Sequence, residues 1–182
     1  MDVTRRCDYA FRILRVACQC GKEYVSVSDI SEREGIPYAF ARSIQHDLVK
    51  GGLIKTVRGA RGGLALNCDP AHVSVKDVLE VIQGPVSVST CVHNSTYCEN
   101  CDSCVYNSLW RGADQLLNAY FASISLKDII EMGGQNPVVQ QALSVRSSES
   151  AKDADANTIT FEQACAGFLS EKPSFERETE CA

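Results

Sequence analysis

The run PYAFARSIQHDLVKGGLIKTVRGARGGLAL, residues 37–66, decides the fold. Its first half has the period of a helix. Phe40, Ala41, Ile44 and Leu48 recur at the spacing that lines one helical face. Pro37 suits a first turn, where its missing N–H is not needed, and Gly51-Gly52 ends the run. The second half changes period. Leu53, Ile54 and Val57 precede a basic, glycine-rich turn, and Leu64 and Leu66 alternate after it, as in a short hairpin. Gly59, Gly62 and Gly63 let such a tip adopt positive φ and approach a surface closely. Arg58 and Arg61 flank it.

Just upstream, Ser26 or Ser28 can cap a short helix carrying Val27 and Ile30, which Gly35 ends. Two short helices joined by a glycine-containing turn make a helix-turn-helix pattern. Taken alone, the pair reads equally well as two ordinary packed helices. The arginine-tipped hairpin that follows makes it a winged helix: mostly α, with a small β-hairpin wing. Double-stranded DNA is the implied partner. Arg58 and Arg61 suit phosphate contact or a narrow minor groove. Tyr38, Arg42, Gln45 and His46 are candidates at the recognition surface, and Arg42 could read guanine by paired hydrogen bonds. Phe40 fits either the core or that surface.

Further out, residues 3–20 read as a helix with Tyr9, Ala10, Ile13, Leu14 and Ala17 on one stripe. Ser74 can cap a core helix bearing Val75, Val78, Leu79 and Ile82. Residues 104–123 read as a long helix on which Leu109, Ala113, Leu116, Leu117 and Tyr120 form a stripe. Val105, Trp110 and Phe121 widen it beyond what one small domain needs. Such a helix suits a dimer seam, since helix-turn-helix proteins commonly bind half-sites about 34 Å apart as dimers. SLKDIIEM, 125–132, adds a short capped helix. From Gly133 the chain turns small, polar and charged, the composition of a flexible acidic tail in which FEQACAGFLSE, 161–171, could form one amphipathic turn. The expected units are a DNA-binding domain (1–84), a cysteine loop with a dimerisation helix (85–132) and the tail (133–182).

The totals agree. The 182 residues carry a net charge of −5, yet residues 1–66 hold 11 Lys+Arg against 7 Asp+Glu. A basic front half on an acidic whole suits an anion bound by that half alone. No apolar run approaches the roughly 20 residues that span a bilayer. MDVTRRCDYAFRIL lacks the apolar core of a signal peptide, so a cytoplasmic location is expected. In that setting ten cysteines suggest metal ligands or redox thiols rather than disulfides. Six of them, Cys7, Cys18, Cys20, Cys68, Cys165 and Cys181, are scattered and read as small hydrophobes or idle thiols.

The other four lie in CVHNSTYCENCDSCVYNSLW, residues 91–110: Cys91, Cys98, Cys101 and Cys104. Soft thiolates select zinc, copper(I) or iron–sulfur clusters. Structural zinc sites typically use paired C-x2-C knuckles, whereas C-x2-C-x2-C is how ferredoxin-like chains wrap a cubane cluster. An iron–sulfur cluster is therefore expected, [4Fe-4S] first and [2Fe-2S] second. Cys104 stands at a helix start, behind Asp102 or Ser103 as caps, where the helix dipole favours a thiolate. Glu99 and Asp102 add negative charge, which suits a labile site. His93 reads as a solvated loop residue. His46, His72 and His93 sit in unrelated contexts, and no catalytic constellation emerges, so an enzyme is not expected.

From Met1 to about Met132 the chain resembles the Rrf-type family of bacterial winged-helix regulators. DYAFRIL, ISEREGIP, LVKGGLIKTVRGARGGLAL, VLEVIQGP, the cysteine loop and SLW carry the resemblance. It implies a homodimer in which three loop cysteines hold an iron–sulfur cluster: here Cys91, Cys98 and Cys104, with Cys101 an addition. IscR-like members use a histidine three residues after the last cysteine; that position is Asn107, so this ligation is not expected. NsrR-like members use an aspartate from the partner's first helix, which Asp8 matches, and Asp8 is preferred to Cys101. The implied function is a transcriptional regulator, a repressor by expectation, whose operator affinity responds to nitric oxide, iron or redox state. A thiol or zinc switch governing sulfur or cysteine metabolism is the alternative within the fold. An electron-transfer or cluster-delivery protein is more remote.

Overall fold

A computed structural model of the chain describes residues 2–21, 23–59 and 62–144. Helices α1 (Arg5–Cys20), α2 (Val27–Glu34) and α3 (Tyr38–Lys50) come first, then strands β1 (Ile54–Val57) and β2 (Gly63–Leu66). After α4 (Val75–Gln83) come the single turn α5 (Thr90–His93), the long α6 (Val105–Ala122), α7 (Leu126–Met132) and α8 (Pro137–Ser144). Between α5 and α6 lie two 3-10 turns, Ser95–Tyr97 and Cys101–Ser103. The result is mostly helical with one two-stranded hairpin, as the sequence implies.

The caps are local chemistry. Ser26 accepts a hydrogen bond from the Asp29 amide, and Gly35 closes α2 in the left-handed region at φ 64°. Ser74 and Asp77 form a reciprocal capping box at the start of α4, which satisfies two otherwise orphaned amides. Ser125 caps α7 one way, by accepting from Asp128 N–H.

Once capped, the helices bury the stripes their periodicity marks. Ala10, Ile13, Leu14, Val16 and Ala17 of α1 pack with Ile30 of α2 and with Ala41, Ile44 and Leu48 of α3. Leu53, Ile54 and Leu64 of the wing, Val78 of α4 and Leu126 of α7 complete this core. Phe40 leaves the stripe: it is half-exposed and meets Tyr9 edge to face, ring centroids 6.3 Å apart. Ion pairs Arg6–Asp47 and Arg15–Glu34 tie α1 to α3 and α2. The partly exposed Arg6–Asp47 pair contributes little beyond orientation, whereas the Glu34 side chain is 7% exposed.

The wing is antiparallel, with Ile54 opposite Leu66 and Val57 opposite Gly63. Val25, just before α2, bridges to Leu64 and so seats the hairpin on the helical body. Two of its glycines have distinct reasons. Gly59 takes φ +125°, which favours glycine, whereas a Cβ at Gly63 would come within 2.5 Å of the Val25 carbonyl oxygen. Arg61 lies outside the described residues.

The long apolar face of α6 is split in two. Toward its C-terminal end, Leu117 and Phe121 pack on a second small core of Cys7, Leu79 and Val86. Toward its N-terminal end, Val105 (82% exposed), Tyr106 (67%), Leu109 (59%) and Trp110 (40%) lie open to solvent in the single chain. The segment expected to be tail from Gly133 begins with structure instead. The buried Asn136 side chain accepts from the Val138 amide at 2.9 Å and starts helix α8. Residues 145–182, including FEQACAGFLSE and the thiols Cys165 and Cys181, lie outside the described residues.

Candidate nucleic-acid interface and cysteine loop

Helix α3 and the wing face each other across an open groove. Tyr38, Arg42, Gln45 and His46 line its α3 wall; Thr56 and Arg58 stand across from them. Four of the residues expected to read DNA from α3 and one wing arginine are thus brought together. They are not equivalent. Tyr38, Arg42, His46 and Arg58 are exposed, but Gln45 is only 8% exposed. Its Oε1 accepts from Arg42 Nη1 at 3.1 Å. Gln45 therefore aims the arginine rather than offering its own amide, because its place on α3 turns it toward the core. Phe40 is not among the groove-lining residues.

The cysteine loop hangs from the N-terminus of α6. Cys91 sits in α5, Cys98 follows the first 3-10 turn, Cys101 opens the second, and Cys104 occupies the N-cap position of α6. All four are partly buried. Around Cys91, Ser89 Oγ lies 3.2 Å from the sulfur and Asn107 Nδ2 3.7 Å. Cys101 Sγ is 3.8 Å from the Cys91 carbonyl oxygen. Among the described residues, no three His, Cys, Asp or Glu side chains converge as a metal ion requires. Asp8 is half-exposed on α1 and pairs with Arg12 at 2.8 Å. The donor chemistry of the loop fits an iron–sulfur cluster. The described residues of one chain do not supply a complete, converged set.

His93 is exposed, and its Nε2 also lies 3.8 Å from Asp114 Oδ2. Asp114 itself went unnoticed in the sequence. It is 5% exposed, on the inner side of α6, and accepts from Val88 N–H and Ser87 O–H, each at 2.7 Å. Asn118, one turn on, donates to the Val86 carbonyl at 3.0 Å. The available signal was a carboxylate beside Ala113 on an apolar stripe, a position that is costly unless hydrogen-bonded.

Two of the scattered thiols are partly sheltered. Burial pushes the Cys18 thiol up to about 11, with Cys68 and Glu131 adding in the same direction. Burial also raises Cys68, helped by Asp69. Both groups resist becoming thiolates, as befits packing rather than chemistry. Among the described residues no helix is long and apolar enough to cross a membrane.

A family model described as Rrf2, iron-dependent transcriptional regulator, matches residues 3–132. The chain belongs to the Rrf2 family. Its match runs from before α1 to the end of α7. The HTH-type transcriptional regulator IscR of Xenorhabdus nematophila is 30% identical over 132 residues, covering 72% of this chain and 80% of the relative. The solved structure of T. potens IscR superposes with a TM-score of 0.57 at 25% identity, covering 72% of this chain and 87% of that one. CymR, the global cysteine regulator of B. subtilis, shares the fold with a TM-score of 0.55 at 18% identity, over 72% and 97% of the two chains. As an Rrf2 protein the chain is a transcriptional regulator, and DNA binding comes with the family.

Proposed function

We propose that this Rrf2 regulator is a homodimer whose affinity for operator DNA is set by an iron–sulfur cluster, acting by expectation as a repressor. Cys91, Cys98 and Cys104 would hold the cluster, with either the partner subunit's Asp8 or this chain's Cys101 as fourth ligand. One observation carries the reading. The thiol loop is attached to the first turn of α6, and the same half of α6 carries the bare stripe Val105, Tyr106, Leu109 and Trp110. A loop that changes state there changes the seam that spaces the two recognition helices.

When bound, an iron–sulfur cluster supplies iron that nitric oxide and oxidants attack. The residues do the rest. Cys104, at the N-cap position of α6, would join the cluster directly to that helix. With its cysteines ligated, the loop would be tied together through them; unligated, it is held by weaker contacts such as His93–Asp114 and Asn107–Cys91. These are two states of one element, and a hundredfold change in operator affinity needs about 2.7 kcal/mol of difference between them. In the groove, Arg42, aimed by Gln45, would contact a base edge while Arg58 takes phosphate or minor groove.

Anaerobically purified protein is expected to contain iron and acid-labile sulfide, to absorb broadly in the visible, and to change its operator affinity when treated with nitric oxide. Iron-free protein with unaltered DNA binding would sink the reading. A thiol or zinc switch of the same fold is the second reading. Soft thiolates select zinc as well as iron–sulfur clusters, which supports it, and bound zinc without sulfide would select it.

A further inference from the structure

Between α4 and the cysteine loop the chain crosses α6 as a short strap, residues 86–91. Two polar side chains one turn apart on α6 hold it. Asn118 Nδ2 donates to the Val86 carbonyl oxygen at 3.0 Å and to the Asp114 carbonyl oxygen at 2.8 Å. The buried Asp114 carboxylate accepts from the Val88 amide and the Ser87 hydroxyl, both at 2.7 Å. From Ser87 the network continues toward the thiol. The Ser89 amide donates to Ser87 Oγ at 3.3 Å, and Ser89 Oγ lies 3.2 Å from Cys91 Sγ. On the other side Asn107 of α6 reaches the Cys91 carbonyl at 3.5 Å and its sulfur at 3.7 Å.

We propose that Asp114 is a positioning residue for Cys91, acting through Ser87 and Ser89, and that Ser89 and Asn107 are the hydrogen-bond donors to the Cys91 sulfur once it is a thiolate. This rests on the reading of Cys91 as a cluster ligand. The physical reason for a buried carboxylate here is reach. An apolar side chain at position 114 would pack equally well on α6, but it would leave the Val88 amide without a partner. Only an acceptor with two oxygens holds both the backbone and the serine that aims Ser89. Hydrogen bonds to ligand sulfurs tune a cluster, and loss of such outer partners typically costs about 10–100-fold in metal retention. The strap thereby makes Cys91 the fixed ligand of the loop. Cys98 follows the first 3-10 turn and Cys101 opens the second, its Sγ 3.8 Å from the Cys91 carbonyl oxygen.

The test compares wild type with Asp114→Asn, Asp114→Ala and Ser89→Ala after anaerobic reconstitution with iron and sulfide. Visible circular dichroism and the half-life of visible absorbance in air are the readouts. Ser89→Ala and Asp114→Ala are expected to alter the dichroism and to shorten the half-life about tenfold or more. Asp114→Asn, which keeps an acceptor for Val88, should recover part of the loss. Wild-type spectra and half-lives in both Ser89→Ala and Asp114→Asn would overturn the proposal. Ser89→Ala removes a single hydroxyl from a partly exposed position, so it reads out even where Asp114→Ala fails to fold. If wild type itself takes up no cluster, the reading of Cys91 as ligand falls instead. Hydrogen exchange then still tests the strap: Asp114→Asn and Ser89→Ala with unchanged protection over 86–91 would refute the relay.

Discussion

Replacing Leu109 by alanine should weaken self-association and leave the fold alone. Leu109 is 59% exposed in the single chain, so over half of its surface is available for a second copy to cover. Full burial of a leucine side chain is worth about 1.5–3 kcal/mol. Scaled by that exposure and counted against alanine, each copy loses about 1.2 kcal/mol. A symmetric dimer carries the substitution twice, which gives about 2.5 kcal/mol, or roughly a hundredfold weaker dimer. Sedimentation over a dilution series reads the dissociation constant, and thermal melting of the separated chains reads the fold. Leu126→Ala is the counterpart, since Leu126 is wholly buried. It should cost about 2–5 kcal/mol of fold stability, as buried Leu→Ala changes do. A Leu109→Ala protein that dimerises within threefold of wild type would refute α6 as the seam.

Arg58→Ala should weaken binding to every DNA sequence by a similar factor and reduce the salt slope by about one, as read by fluorescence anisotropy across salt concentrations. Arg42→Ala should instead erode discrimination between operator and scrambled DNA, by about 1–3 kcal/mol; a uniform loss would reassign it to phosphate contact. Cys101→Ser and Asp8→Asn separate the two candidates for fourth ligand: the cluster spectrum should change with Asp8→Asn and persist with Cys101→Ser, and the reverse result would hand the role to Cys101. Cys18, held at about 11 against an ordinary value of 9.0, should be alkylated about a hundredfold more slowly than an ordinary thiol at pH 8, as peptide mapping would show. The folded chain keeps this proton between those values while the unfolded chain has lost it, so stability from Cys18 should decline as pH rises from about 9 to 11.

The winged helix was legible because its signals are local. Helical period, the capping serines Ser26, Ser74 and Ser125, and a glycine-rich turn between alternating strands all act within a few residues. Each appears where its spacing implies. The four loop cysteines and Asp8 could likewise be named in advance, by residue type and by resemblance. Besides Asp114, three features were not legible. Gln45 shares the polar surface of α3 in any linear reading, yet it is 8% exposed and holds Arg42. Phe40 matches the apolar stripe of α3 and is half-exposed, because its neighbour is the ring of Tyr9. Asn136 starts a helix where composition alone suggested loose chain.

By itself, then, the sequence determined the elements, their caps, the basic wing and the supply of thiols, since these depend on neighbours within a turn or two. Tertiary structure alone decided which groups share a place. It set Arg58 across from Arg42 and left half of the α6 stripe bare while covering the rest. It also brought Asp114 to residues 26 and 27 positions earlier in the chain. Burial and long-range hydrogen bonding depend on which surfaces meet, and no spacing along the chain carries that information.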